Sequence, residues 1–249
     1  MELFSHFGSG DKIVVALGGY KQDMHSFDTL IQKTKDIFRW ILVHLPLINS
    51  ENEQVLSPDT LLHLIHNEIK KYPYQKVYLL GFSIGGRIAQ TLFLLAPQCF
   101  DKLILINADG LKKHFLQWIT EKKWISIHLL YKWIEQYKLW KFIIKTGQKI
   151  GFISPKRAYF YLKHIESTQQ RKMLIKIWKE YSHFKPKFKN LLSHKDKVIL
   201  IWGRQDQILS VRTAERLSHK YRFRLLCVEG GHNIIQTKPN LLSDILKSI

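Results

Sequence analysis

A serine flanked by glycines lies where an apolar strand pattern gives way to a helical one. The run Gly81-Phe82-Ser83-Ile84-Gly85-Gly86 follows the apolar residues 77–80 and precedes the helix-compatible residues 87–93. Glycines two positions either side of Ser83 allow a tight turn and a close approach of strand and helix. The pattern predicts a nucleophile elbow, a turn that lifts the serine Oγ above the carboxyl edge of a sheet.

The residue after the serine has a predicted role of its own. Ile84 would begin the helix, where its N–H has no intrahelical acceptor and lies at the positive end of the helix dipole. A backbone N–H in that position can stabilise a developing oxyanion. We therefore expect Ile84 to contribute one oxyanion-binding N–H.

Two later loops supply partners for the serine, which matter because a G-x-S-x-G string alone is weak evidence. The strand pattern 198–202 leads to Asp206, and the strand pattern 223–228 leads to His232. An imidazole can take the proton of a serine while a carboxylate orients the ring, so His232 is the candidate base and Asp206 the candidate acid. Asp109, which also follows a predicted strand, is the alternative acid.

Alternating strand and helix patterns predict a mostly parallel sheet with crossover helices. A chain of 249 residues is long enough for a single α/β core. The strand candidates are residues 12–17, 40–45, 76–80, 102–106, 198–202 and 222–228.

Taken together, these segments resemble the α/β-hydrolase superfamily from about Lys12 to the end of the chain. The resemblance is carried by Ala16-Leu17-Gly18-Gly19-Tyr20, the Ser83 elbow, the turn from Gly203 to Asp206 and the loop Gly230-Gly231-His232. It implies an α/β-hydrolase fold with a mostly parallel central sheet, flanking helices and a helical cap or lid. It also implies a triad of Ser83, His232 and Asp206 that needs no cofactor.

The same resemblance implies a second oxyanion N–H from the loop after the first parallel strand. Tyr20 or Gly19 is the expected donor. Family members usually carry a histidine where this chain has Gly18, so we expect a more flexible loop here.

A long helical pattern interrupts the alternation of strands and helices. It spans residues 111–190, which we interpret as a cap inserted into a hydrolase core made of residues 1–110 and 191–249. Residues 110–190 hold 19 Lys/Arg and 4 Asp/Glu, a balance of +15 out of the net +19 of the chain. They also hold five of its seven tryptophans, among them Trp118 and Trp124.

Three interpretations of this basic cap remain open. Its lysines form a solvated face on a structural lid, they attract an anionic substrate, or they dock the cap on an anionic membrane. Trp118 and Trp124 are candidates for substrate or lipid contact. Arg87, one turn beyond Ser83, is a candidate clamp for a substrate carboxylate or else a partner in an ion pair. No nucleic acid is expected, because no recognised binding module is present.

Histidine and cysteine usage favours neither metal nor disulfide chemistry. The 12 histidines have no metal-ligand spacing, and Cys99 and Cys227 offer no disulfide framework. The first residues lack the pattern of a signal peptide, so we expect a cytoplasmic location.

The resemblance favours a serine hydrolase, and within that class a carboxylic-ester hydrolase acting on a small ester or anionic substrate. Two other functions stay open. Gly85-Gly86-Arg87 and the basic cap resemble the pyruvate-eliminating lyase of the menaquinone pathway, which has this fold and a polyanionic substrate. The displaced oxyanion histidine is also compatible with a non-catalytic protein of the same fold.

Overall fold

The computed structural model describes residues 2–19, 24–44, 56–111, 136–153, 155–171 and 181–249. The chain divides into two compact units. The first consists of Met1–Leu47, Gln54–Lys112 and Phe184–Ile249, and the second of Ile48–Glu53 and Lys113–His183. That the second unit acts as a lid stays a prediction.

Seven strands of the described residues form one sheet in the first unit. In chain order they are β1 (Phe4–Phe7), β2 (Lys12–Leu17), β3 (Phe38–Val43), β4 (Lys76–Phe82), β5 (Lys102–Ile106), β6 (Val198–Gly203) and β7 (Arg224–Val228). Their order across the sheet is β1-β3-β2-β4-β5-β6-β7. β1 pairs with β3 antiparallel, and the other neighbours pair parallel. The predicted mostly parallel sheet is confirmed.

The central strands are apolar along their whole length because both faces of the sheet are covered. In β2 the five residues from Ile13 to Leu17 are fully buried, and β6 is buried from end to end. Such continuous apolar runs are typical of parallel strands with helices on both faces. The runs therefore place the strands in the middle of the core.

Eight α-helices are formed by the described residues. They are α1 (Asp28–Gln32), α2 (Pro58–Ile69), α3 (Ile84–Leu95), α4 (Tyr137–Lys149), α5 (Pro155–Ile165), α6 (Val211–Tyr221), α7 (Ile234–Thr237) and α8 (Pro239–Lys247). Helix α2 begins where local chemistry favours it, since Ser57 Oγ accepts the N–H of Thr60 and Pro58 occupies the first helical position. Helix α3 packs on β4 and β5, while α6 packs on β6 and β7.

The register of the parallel strands brings their carboxyl ends to one edge of the sheet. Leu17 pairs with Gly81, Phe82 with Ile106, and Ile106 with Ile201. The loops that follow β2, β4, β5 and β6 therefore start side by side. Ligand and active sites of open α/β sheets form at this edge.

In the second unit, helices α4 and α5 form a packed pair. The turn between them closes on Gly147, whose backbone O accepts the N–H of Ile153 at 2.9 Å. A Cβ on Gly147 would lie 2.8 Å from Ile153 Cδ1, so glycine makes room for this side chain. Across the part of the chain that the structure describes, no helix is long and apolar enough to span a membrane.

We expect Gly86→Val to lower the free energy of unfolding by about 1–3 kcal/mol, the usual cost of overpacking. A Cβ at this position of α3 would overlap the Cβ of Ala108 and lie 2.9 Å from its Cα. Chemical denaturation measures the effect. Gly231→Ala is the control, since its Cβ would meet no atom closer than Gln205 O at 4.0 Å. Equal stability of Gly86→Val and the parent protein would contradict the expectation.

Candidate active site

Ser83 occupies the turn between β4 and α3 in a backbone conformation that residues other than glycine rarely adopt. Its φ is 52° and its ψ is −122°. Neighbouring backbone holds the turn in place: Ser83 N–H donates to Ile106 O at 3.2 Å, and Ser83 O accepts the N–H of Asp109 at 2.8 Å. Strained residues persist only where their surroundings fix them, and the end of β5 provides that support here.

Glycines on both sides of Ser83 permit contacts that a side chain would prevent. A Cβ on Gly81 would lie 2.6 Å from the Cα of Gly86. A Cβ on Gly85 would overlap Leu17 O and lie 2.6 Å from Leu17 C. The elbow therefore brings the start of α3 against both its own strand and the end of β2.

His232 connects Ser83 to Asp206 through two hydrogen bonds. His232 Nε2 lies 3.0 Å from Ser83 Oγ, and His232 Nδ1 lies 2.8 Å from Asp206 Oδ2. Because an ionised carboxylate only accepts, Nδ1 carries the proton and Nε2 is free to accept the serine O–H. The structure thus brings together the three residues that the sequence predicts to act as nucleophile, base and acid.

Asp206 is fixed by its own loop. Its side chain is fully buried, and Oδ1 accepts the N–H groups of Ile208 at 2.8 Å and Leu209 at 2.9 Å. These bonds orient the carboxylate so that Oδ2 faces the imidazole. The ring of Phe82 lies beside that of His232, with 5.2 Å between the ring centroids.

Asp109, the alternative acid, is bound to Arg87. Asp109 Oδ2 accepts from Arg87 Nη2 at 2.7 Å and from Arg87 Nε at 2.9 Å. The Arg87 side chain is only 2% exposed. This geometry favours Asp206 over Asp109 as the partner of His232. For Arg87 it fits the ion-pair interpretation rather than the substrate clamp.

The predicted oxyanion donors are partly described. Ile84 is the first residue of α3, so its N–H lies in the first turn, where helical N–H groups have no intrahelical acceptor. The close approach of Gly85 to Leu17 O and Gly18 O brings the loop with Gly18 and Gly19 beside the start of this helix.

Several predicted contacts cannot be placed. Tyr20, Trp118 and Trp124 lie outside the described residues. Within the described ranges, His, Cys, Asp and Glu side chains do not assemble into groups of three that could hold a metal ion.

Asn107 is a residue of the site that the sequence reasoning missed. It follows β5 directly, is fully buried and has φ of 40°. Its Nδ2 donates to His232 O at 2.6 Å and to Gly231 O at 3.1 Å, while its Oδ1 accepts the N–H of Gly203 at 2.8 Å. A usable signal was present, since asparagine tolerates the left-handed region and this one stands at the carboxyl end of a strand.

Known proteins share this architecture. A family model for the alpha/beta hydrolase fold matches residues 56–155, which include the Ser83 elbow. The chain is 22% identical over 250 residues to the uncharacterized hydrolase YugF of Bacillus subtilis, covering 97% of this chain and 91% of that protein.

Two solved structures extend the comparison. The S. aureus protein MenH superposes with a TM-score of 0.63 at 16% identity, covering 100% of this chain and 97% of that one. MGS-MChE2, an alpha/beta hydrolase enzyme from the metagenome of lagoon sediments at Mar Chica, Morocco, gives 0.61 at 17% identity, covering 98% and 92%. With its sheet order, its elbow and these matches, the chain has the α/β-hydrolase fold.

Proposed function

We propose that the protein is a serine hydrolase that cleaves carboxylic esters, with Ser83 as nucleophile, His232 as general base and Asp206 as the acid that orients the imidazole. The observation that carries the proposal is the continuous hydrogen-bonded chain from Asp206 through His232 to Ser83 Oγ. Nucleophile and base within hydrogen-bond reach, with the base held by a third group, are the geometric requirement of this chemistry.

Acylation begins when Ser83 Oγ attacks the carbonyl carbon of the ester and its proton passes to His232 Nε2. Asp206 stabilises the imidazolium that forms. The tetrahedral intermediate collapses with cleavage of the bond to the alcohol oxygen, which takes the proton from His232. A water molecule then attacks the acyl-enzyme, giving its proton to His232, and Ser83 leaves with that proton as the carboxylic acid is released.

The negative charge of both tetrahedral intermediates would fall at the start of α3. The N–H of Ile84 and the dipole of α3 favour an anion there. The proposed second donor is the N–H of Gly19 or Tyr20. The contact of Gly85 with the end of β2 supports this arrangement, because it brings the two chain segments together.

Esters are the preferred substrate class because their alcohol leaving groups need less protonation than amines do. A polyanionic substrate undergoing elimination is the second candidate, suggested by Gly85-Gly86-Arg87. The structure gives Arg87 a buried partner in Asp109, so the fold itself accounts for this arginine. We therefore place ester hydrolysis first.

Labelling with a fluorophosphonate tests the reactive serine and the choice of acid. We expect Ser83→Ala to remove labelling, and Asp206→Asn and His232→Ala each to lower turnover by about 10³–10⁴-fold, with losses that do not add because the residues act as a unit. Asp109→Asn is the matched control: it removes the carboxylate that neutralises Arg87, so it should lower stability while leaving folded protein reactive.

The opposite result for the two carboxylates, with Asp109→Asn inactive and Asp206→Asn near normal, would show the acid assignment to be wrong. Absence of labelling in the parent protein would favour a non-catalytic member of the fold. Where labelling succeeds, turnover of simple esters is compared with consumption of the polyanionic lyase substrate. Faster consumption of the lyase substrate would favour elimination over ester hydrolysis as the function of the protein.

Gly19→Val tests the second oxyanion donor. A β-branched side chain restricts the backbone of this loop and should move its N–H groups away from the intermediate. Since loss of one oxyanion donor costs about 10²–10³-fold in kcat, we expect a drop in kcat of at least about tenfold with little change in KM. Steady-state kinetics with one ester measures both constants. A raised KM with unchanged kcat would count against this role.

A further inference from the structure

Helix α4 of the second unit has a basic face with an aromatic side chain in the middle of it. Lys138, Phe142, Lys145 and Lys149 follow each other at spacings of four, three and four residues, which places them on one side of a helix. All four are exposed, Phe142 to 67%. The burial pattern agrees, because the buried residue of α4 is Ile144.

The end of α4, the turn after it and α5 expose further apolar side chains. Among the described residues ten large hydrophobic side chains are exposed, and six of them lie between positions 142 and 161. Ile150 is 72% exposed at the end of α4, and Phe152 is 86% exposed in the turn to α5. Isolated exposed hydrophobic residues are normal on protein surfaces, whereas a concentration in one helical pair is typical of an interaction surface.

The exposed side chains stand on a folded support. Ile144 and Ala158 are buried in α4 and α5. Arg171, itself buried, donates to Ile165 O at 2.6 Å and to Glu166 O at 2.9 Å, and so caps the end of α5. The apolar side chains are therefore presented outward by a packed helix pair.

We propose that the α4–α5 pair docks this protein on an anionic membrane surface. Helix α4 carries four exposed lysines, at positions 138, 141, 145 and 149, and no Asp or Glu, so the surface has the charge that anionic headgroups attract. Phe142, Ile150 and Phe152 enter the boundary between headgroups and acyl chains. Aliphatic side chains such as Ile150 gain from an acyl boundary and gain little from nucleic acid, where stacking needs aromatic rings.

Co-sedimentation of the full chain with vesicles tests the docking surface. The Ser83→Ala protein is used so that hydrolysis cannot alter the lipid. We expect binding to vesicles that contain phosphatidylglycerol, weaker binding as salt rises, and none to phosphatidylcholine alone. Replacing Lys138, Lys145 and Lys149 by Gln should lower the partition coefficient by about fivefold per lysine. Replacing Ile150 and Phe152 by Ser should lower it by at least about tenfold with no change in charge.

Matched controls remove the same features elsewhere. Arg212, Arg216 and Lys220 are three exposed cations on α6, and Leu241 is an exposed apolar residue on α8. Replacing the three cations by Gln, or Leu241 by Ser, should leave binding to the vesicles almost unchanged. Equal losses for test and control variants, or no binding to phosphatidylglycerol, would overturn the proposal. Binding to single-stranded DNA in place of vesicles would assign the surface to nucleic acid instead.

A second and independent observation concerns Asn107. Its side-chain amide joins three backbone groups: the N–H of Gly203, the last residue of β6 before the loop that carries Asp206, and the carbonyls of Gly231 and His232. The amide N–H groups and the amide oxygen are all used. A Cβ on Gly203 would overlap Gly231 O, so the end of β6 and the loop of His232 also touch directly.

The geometry points to Asn107 as a positioning residue that fixes the imidazole of His232 relative to Ser83. This role rests on the proposed function. Asn107 acts through the backbone of His232, whose carbonyl it holds at 2.6 Å, while the ring reaches 3.0 Å from Ser83 Oγ. Displacement of a catalytic group by about 1 Å costs up to about 100-fold in rate.

Asn107→Asp separates positioning from packing, because the two side chains have nearly the same shape. The carboxylate still accepts from Gly203 N–H but faces the carbonyl oxygens of Gly231 and His232 without a donor. We expect the fluorophosphonate labelling rate and kcat of folded protein to fall by about 10- to 100-fold, with KM nearly unchanged. Asn107→Gly, which keeps the left-handed backbone and loses all three bonds, gives a second measurement if the aspartate variant does not fold.

Thr34→Val is the control for a lost buried hydrogen bond away from the site. Thr34 Oγ1 donates to Leu30 O at 2.7 Å and accepts from Trp40 Nε1 at 3.0 Å. It should lower stability and leave the labelling rate of folded protein unchanged. If the Asn107 variants behave like Thr34→Val, Asn107 serves stability alone. If the parent protein is not labelled, the proposed function fails instead, so the two failures are distinguishable.

Discussion

The strained backbone of Ser83 is the constraint on which the rest of the site depends. A φ of 52° is unfavourable for serine, and the turn persists because β5 and α3 hold it from both sides. That support requires helix and strand to approach more closely than side chains would allow, which explains glycine at positions 81, 85 and 86. The geometry of the elbow therefore depends first on packing. The glycines permit the close approach of helix and strand, this approach fixes the turn, and the turn directs Ser83 Oγ toward His232.

The end of β5 connects the parts of the site that come from distant stretches of sequence. Asp109 holds the serine turn through its N–H and holds α3 through Arg87, while Asn107 joins the end of β6 to the loop of His232. The three-residue segment Asn107–Asp109 thus contacts the turn of Ser83, the end of β6 before Asp206, and the loop of His232. The arrangement follows from strand order, because β5 lies between β4 and β6 in the sheet. Asp109 already pairs with the buried Arg87, whereas Asp206, in the loop after β6, bonds the imidazole of His232, which is a geometric reason for preferring Asp206 as the acid.

Sequence patterns predicted the parts of this site that depend on local chemistry. The bounds of β2 and β5 were predicted correctly because each strand pattern begins after an aspartate and its continuous apolar run ends before a turn-forming residue, Gly18 or Asn107. β3 runs over Phe38–Val43 rather than 40–45, since Phe38 and Arg39 continue the pairing with β2. Ser83, Asp206 and His232 could be located because each follows a strand in a short loop. The roles of Asn107 and of the Arg87–Asp109 pair could not be predicted, since their partners are set by strand register and by loops 96 and 22 residues away.

The role of a surface is also difficult to predict from sequence, as the basic second unit shows. Composition locates the positive charge between residues 110 and 190, yet composition cannot distinguish a lysine face that only keeps a helix in water from one that meets a partner. The distinction depends on what lies among the lysines. A solvated face would have polar residues there, whereas α4 has Phe142 within its lysine row and leads into Ile150 and Phe152. Exposing apolar side chains costs free energy in water, and that cost is recovered where a surface accepts both charge and hydrocarbon. An anionic lipid surface offers both charged headgroups and hydrocarbon, close enough together for one helix face to contact them.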